Sequence, residues 1–247
     1  VVILGKGAHY DDFGPRVNPR AIRQDLEESL DRQGADYMDL YMLHRDDPSV
    51  DVGALVDVLN ELRDEGLISA FGASNWTCER IRAANSYAEA HNLTPFAASS
   101  PNFTLARPFA PLWEGCLSIG GPEGLQSREW YRRARMPVFA WSSLGRGFFS
   151  GRLTPENFEE TKDTLDPACV RAFCHEENFR RLDRARRLAA EKALSVPQVA
   201  LAYVLSQRLS IFAIVGCRNR REIEQDIETL DLELSPEEQA WLDLRAE

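Results

Sequence analysis

Long apolar runs are missing from this 247-residue sequence. None approaches the ~20 residues of a membrane span, and no signal peptide is visible. Positive charge is not in excess either: 29 Lys and Arg against 39 Asp and Glu leave a net charge of -10. That balance argues against general binding to nucleic acid or to an anionic membrane, while allowing a local basic pocket for a small anion. Cysteine is sparse. The five residues, at positions 78, 116, 169, 174 and 217, form no C-x-x-C pair and no zinc spacing. An odd, scattered set fits reduced thiols in a cytoplasm rather than a disulfide framework. His9, His91 and His175 lie far apart with no ligand spacing, so no metal site is indicated. No G-x-G-x-x-G follows the first strand-like run, which sets aside a doubly wound dinucleotide fold. Low complexity and interdomain linkers are also absent, so residues 1–247 read as one domain. A 44% hydrophobic, 28% charged composition is ordinary for a soluble protein with a sizeable core, and a cytoplasmic enzyme is the default expectation.

What is present is organised around Tyr37 to His44, which runs into Arg45-Asp46-Asp47-Pro48. On a strand, side chains alternate, so Met38, Leu40, Met42 and His44 share one face and His44 closes an apolar row. Val2, Leu4 and Lys6 form a second such row. Strand patterns recur at about 1–6, 37–43, 67–72, 96–100, 137–141 and 211–215, with helical periods between them. Asn18-Pro19, Asp51, Thr77, Ser195 and Ser235 mark helix starts, and 125–135 and 176–192 read as helices. The polar connection from about 148 to 175 is long for a silent loop and suits a lid. Strands alternating with helices imply a parallel sheet. Polar residues end every strand: Lys6, His44, Ser74-Asn75, Ser100, Ser142 and Gly216–Arg218. That distribution predicts an α/β fold of the (β/α)8 TIM-barrel type. Six strands do not close such a barrel, so two βα units are expected before Val1, a bare start that suits a place within a longer multidomain polypeptide.

Five ordered motifs carry a family resemblance. They are Gly5-Lys6, the strand Asp39 to His44, Gly72-Ala73-Ser74-Asn75-Trp76, Trp141 to Gly147, and Ile214-Val215-Gly216 with its following helix. Over essentially its whole length the chain resembles the aldo-keto reductases, in the version of a bacterial branch. The resemblance implies hydride transfer between a nicotinamide cofactor and an aldehyde, ketone or the corresponding alcohol. Lys6 and His44 match the family's catalytic lysine and carbonyl-orienting histidine. The matching aspartate and proton-donating tyrosine fall in the two units expected before Val1; Tyr10, in the loop past Lys6, is not their substitute.

The resemblance also implies a cofactor site. Ser74 and Asn75 match residues that bind the nicotinamide carboxamide, and Ser100 stands where a glutamine is common. Trp141 matches an aromatic stacked on the nicotinamide. Ser142, Leu144, Arg146 and Gly147 match the pyrophosphate loop. Gly216, Cys217 and Arg218 open an anion-binding helix start, and Arg218 suits a 2′-phosphate, which favours NADP(H). Gln225 and Asp226 match adenine contacts, with Arg220 and Arg221 competing for the phosphate. Departures are the serine at 100, Gln-Asp for a common Glu-Asn, and glycine at 216 in place of lysine. Asp46 and Asp47, beside His44, read as residues of the loop or of the substrate mouth. Two other readings stay open: a Schiff-base lyase using Lys6, and a non-catalytic, cofactor-binding regulatory barrel.

Overall fold

The alternating strand and helix periods become alternating β and α elements in the computed structural model, which describes all 247 residues. The chain falls into two units, Val1–Pro101 and Asn102–Glu247.

In the first unit, four parallel strands are hydrogen-bonded in sequence order: β1 (Leu4–Gly7), β2 (Met38–Leu43), β3 (Ile68–Ser74) and β4 (Ala98–Ser100). Between them run α1 (Pro19–Gln33), α2 (Val52–Asp64) and α3 (Cys78–Ala90). Each helix starts where a short polar side chain accepts from a free backbone N–H. Asn18 takes the Ala21 amide, Asp51 that of Gly53 and Thr77 that of Arg80. Their buried faces are the expected ones: Ile22, Leu26 and Leu30 on α1, Leu55, Val58, Leu59 and Leu62 on α2, and Ile81, Ala84 and Ala88 on α3. Gly72 is fixed by close approach, because a Cβ there would lie 2.3 Å from the Ala98 carbonyl oxygen on β4.

The register brings the strand ends level. Lys6 pairs with Met42, Met42 with Gly72, and Ser74 with Ser100, so His44 stands level with Ser74 and Ser100. Lys6 Nζ nevertheless reaches β4, 2.8 Å from Ser100 Oγ. In a flat sheet β1 and β4 would lie about 14 Å apart, further than a lysine can span. The sheet of this unit is therefore strongly curved, with these side chains on its concave face, as in a barrel wall.

In the second unit, β5 (Val138–Ala140) and β6 (Ile211–Ala213) pair in parallel. The helices are α4 (Leu125–Ala134), the short α5 (Phe158–Thr161) and α6 (Pro167–Phe173), α7 (Glu176–Lys192), α8 (Val196–Leu205), α9 (Arg220–Glu228) and α10 (Pro236–Leu242). α8 is buried on nearly every side and opens with the expected capping box, Ser195 with Gln198. α10 opens with the same device, Ser235 with Glu238. The long polar connection expected to suit a lid contains α5 and α6. Asp166 caps α6 by accepting from the Ala168 and Cys169 amides, with proline at the first helical position. No single helix is long and apolar enough to cross a membrane.

Candidate active site

At the strand ends of the first unit, Lys6 Nζ donates to Ser74 Oγ at 3.2 Å and to Ser100 Oγ at 2.8 Å. Asn75 Nδ2 donates to the same Ser74 oxygen and to the His44 carbonyl, each at 3.2 Å. Ser74 Oγ in turn donates to the Ser100 carbonyl at 2.8 Å. The structure thus joins four of the expected residues, Lys6, Ser74, Asn75 and Ser100, in one hydrogen-bonded cluster tied to the backbone of the fifth, His44. Ser74, Ser100 and Asn75 are buried, and Asn75 holds a left-handed backbone at φ 63°. Asparagine tolerates that conformation better than most residues.

Electrostatics single out the two titratable members. Lys6 pairs with no carboxylate; burial first, and then the nearby Arg45 charge, lower it from 10.5 to about 8. His44 falls from 6.5 to about 4 through burial, with Lys6, His9 and Arg45 adding to the effect. At neutral pH His44 is therefore a neutral imidazole, able to donate one N–H but not to act as an imidazolium acid. Lys6 is mostly charged yet close to its midpoint, as befits a group that tunes or moves a proton.

His9 and Arg45 were not singled out in the sequence. The His9 ring lies edge-on to His44 with centroids 4.8 Å apart. Its Nδ1 donates to the Tyr10 carbonyl at 2.7 Å, which leaves Nε2 to accept from Arg45 at 3.2 Å. Tyr10 directs its hydroxyl to the Asp46 carbonyl at 2.6 Å. Asp46 pairs with Arg80 Nε at 3.1 Å, and Asp47 accepts from the Ser49 amide and hydroxyl. Of the two expectations for Asp46 and Asp47, this bonding favours the loop: both carboxylates brace the turn after His44.

In the second unit, the loop after β5 bends sharply. Ser142, Gly145, Arg146 and Gly147 all have positive φ. Three of these are consecutive, and the bend is held from within: the Gly145 amide donates to the Ser142 carbonyl at 2.8 Å and the Phe148 amide to the Gly145 carbonyl at 3.1 Å. Arg146 pairs with Asp166, the α6 cap, and Leu144 accepts from the Phe149 amide at 3.3 Å. Trp141 is stacked on Trp113, centroids 4.5 Å and planes 27° apart, so one of its faces is already covered. Trp141 Nε1 and Thr104 Oγ1 are buried without hydrogen-bond partners, and the Thr104 oxygen lies 3.8 Å from where a Gly145 Cβ would stand. Asn102, also unforeseen, fixes the end of β5 by donating to the Trp141 carbonyl at 3.0 Å.

Residues after β6 are more exposed. Asn219 caps α9 through the Glu222 amide at 3.1 Å. Glu222 folds back to accept from the Arg218 amide at 2.7 Å, so a carboxylate already occupies part of this helix start. The Arg218 guanidinium makes no ion pair. The Cys217 thiol donates to Asp226 at 3.1 Å, and that carboxylate pushes it up to about 11. Gln225 contributes its carbonyl to Thr229, and Gly216 has no neighbour within 4 Å of a Cβ position.

Curved parallel strands with polar ends define an α/β chain of (β/α)8 type. The crystal structure of a thermostable aldo-keto reductase in complex with the inhibitor epalrestat has that fold. It superposes with a TM-score of 0.66 at 18% identity, over 92% of this chain and 67% of that one. The chain belongs to the aldo/keto reductase family, whose sequence model matches residues 1–244. Among named relatives, norsolorinic acid reductase of Aspergillus flavus is 26% identical over 238 residues, covering 93% of this chain but 55% of the relative. The NADH-specific methylglyoxal reductase of Escherichia coli is 26% identical over 245 residues, covering 93% and 67%. The chain thus spans little more than half the length of the first of these relatives.

Proposed function

We propose that the protein is an oxidoreductase that interconverts a small aldehyde or ketone and its alcohol, using a nicotinamide dinucleotide. The observation that carries this reading is the half-buried pair at the strand ends: a lysine lowered to about 8 with no carboxylate on it, beside a neutral histidine. The nicotinamide, when bound, supplies or accepts the hydride. The remaining task is the proton on oxygen. Neutral His44 orients the carbonyl by a hydrogen bond, and the Lys6 charge favours ionisation of the adjoining proton donor. Tyr10, in the loop past Lys6, directs its hydroxyl to the Asp46 carbonyl and is not assigned that role.

The residues present fit a dinucleotide best at its anionic parts. The orphaned Trp141 N–H and the Thr104 hydroxyl, beside the Ser142–Gly147 bend, suit acceptor oxygens. At the carboxamide end, Ser74 Oγ already accepts from Lys6 and Asn75 and donates to Ser100. A carboxamide would have to replace one of these bonds, and we assign its recognition first to Asn75.

The unpaired Arg218 favours NADP(H) over NAD(H), and the Glu222 carboxylate opposes it. Fluorescence titration with both reduced cofactors tests this balance. Arg218→Ala is expected to weaken NADPH binding about tenfold and leave NADH unchanged, as loss of a charge-assisted contact does. Glu222→Gln is expected to shift preference toward NADPH by a few-fold. No saturable binding of either nucleotide would refute the proposed function.

One observation favours a second reading. An amine lowered to about 8 is also a competent nucleophile, so Lys6 suits Schiff-base chemistry. Borohydride trapping of a carbonyl compound on Lys6, without nucleotide, distinguishes the two.

A further inference from the structure

The protein is acidic overall, yet one cleft of about 470 Å³ in the second unit is lined by six arginines: Arg107, Arg128, Arg180, Arg181, Arg184 and Arg245. Against them stand three side-chain carboxylates, Glu177, Asp243 and Glu247. We propose that this cleft is a binding site for a compact multivalent oxyanion, a phosphorylated or polycarboxylate small molecule.

The guanidinium groups are held in place from below. Asn178, fully buried at the start of α7, clamps the Arg107 backbone. Its Oδ1 accepts from the Arg107 amide at 2.9 Å and its Nδ2 donates to the Arg107 carbonyl at 2.7 Å. Arg128 donates to the Ile119 and Gly121 carbonyls, and its head lies 5.8 Å from the Phe103 ring centroid. Arg184 donates to the Trp241 and Ala246 carbonyls. Carbonyl oxygens orient these cations without neutralising them.

The charge is only partly compensated, and Asp243 is shared with Arg245 as well. Arg181 is 3% exposed; it shares Glu177 and Asp243 with its neighbours, and its Nε has no hydrogen-bond partner. Arg107 divides between Glu123 and Glu177. Arg180 makes no ion pair at all. Burial, and then the charges of Arg180, Arg187 and Arg181, lower Arg184 below its ordinary value, and burial lowers Arg128. Such crowding is costly unless an anion joins it. Guanidinium forks match carboxylate and phosphate oxygens two at a time. The volume is that of a small-molecule pocket rather than a macromolecular face.

This inference does not rest on the proposed nucleotide binding, and the test keeps the two apart. Calorimetric titrations of the protein with inorganic pyrophosphate and with citrate, in about 50 mM salt, are each compared with Arg180→Glu and Arg146→Ala. Arg180 is exposed and unpaired, so its reversal leaves the fold intact. Binding of either anion that weakens about tenfold or more in Arg180→Glu and persists in Arg146→Ala supports the cleft, and the stronger anion identifies the ligand class. Two results overturn it: no heat with either anion up to about 10 mM, or binding that Arg180→Glu leaves unchanged. Loss in Arg146→Ala alone assigns the anion to the loop after β5 instead.

Discussion

Lys6→Met is expected to make the protein more stable at pH 7 while abolishing any carbonyl chemistry. The ammonium is half-buried without a carboxylate and is lowered from 10.5 to about 8. That difference corresponds to a folding penalty of about 3 kcal/mol on the charged form. Methionine fills a similar space without charge. Its gain is reduced by the two hydrogen bonds to Ser74 and Ser100 that disappear. Ser74 keeps Asn75 as donor and the Ser100 carbonyl as acceptor, so a net gain of about 1–3 kcal/mol remains.

The pH dependence fixes the sign. Between about pH 8 and 10.5 the unfolded chain still holds the lysine proton and the folded protein has released it. Stability therefore rises with pH through that window in the wild type, and the penalty is complete below it. Lys6→Met lacks this rise, so the two urea-unfolding free energies should converge above pH 10.5. His44 adds a second slope. Its folded value of about 4 against 6.5 means that the unfolded chain takes up a proton first as pH falls. Stability is then lost on acidification through that range. Because Lys6 is one cause of the lowering, the His44 proton resonance should titrate at higher pH in Lys6→Met. A variant less stable than wild type at pH 7, with parallel pH profiles, would show that Lys6 is a structural hydrogen-bond donor.

How far the sequence exposes this site depends on whether a feature is local. Strands and helices were legible because the period of two in Met38, Leu40, Met42 and the 3.6-residue period in Ile22, Leu26, Leu30 are carried by neighbouring positions. Asn18, Ser195 and Ser235 signal helix starts for the same reason. The Asp166-Pro167 start of α6 was equally available, but a seven-residue helix carries too short an apolar stripe to stand out from its polar surroundings.

Lys6, Ser74 and Ser100 each read as strand-end residues, whereas their contact did not. It spans 68 and 94 positions and exists only because the sheet curls. His9 and Arg45 lie outside the strands, where alternation is silent. The Trp113 stack on Trp141 and the arginine cleft draw on residues scattered between 102 and 247. Contacts of this kind follow from topology and not from pattern. Ordered motifs carry the chemistry of the site, and the packing of residues outside those motifs, His9 and Arg45 among them, sets its electrostatics.

The second large effect concerns Trp76, which follows the Ser74-Asn75 pair and is fully buried. Its indole N–H donates to the Arg45 carbonyl at 3.0 Å. Its ring packs against Phe96 at 5.2 Å and under the Arg80 guanidinium at 5.0 Å. Arg80 holds Asp46 and the Asp47 and Val50 carbonyls, so Trp76 anchors the whole turn after His44. Trp76→Ala is expected to cost about 3–5 kcal/mol in urea unfolding and to release that turn. Trp76→Phe keeps a ring on Phe96 but leaves the Arg45 carbonyl without its donor, for a smaller loss of about 1–3 kcal/mol. The two variants separate packing from positioning. Once the turn loosens and water reaches His44, the burial that holds its titration near 4 is relieved, and the midpoint should climb toward 6.5. An alanine variant that loses stability yet leaves the His44 midpoint in place would mean that β2 alone, and not the Trp76–Arg80 brace, sets the environment of the histidine.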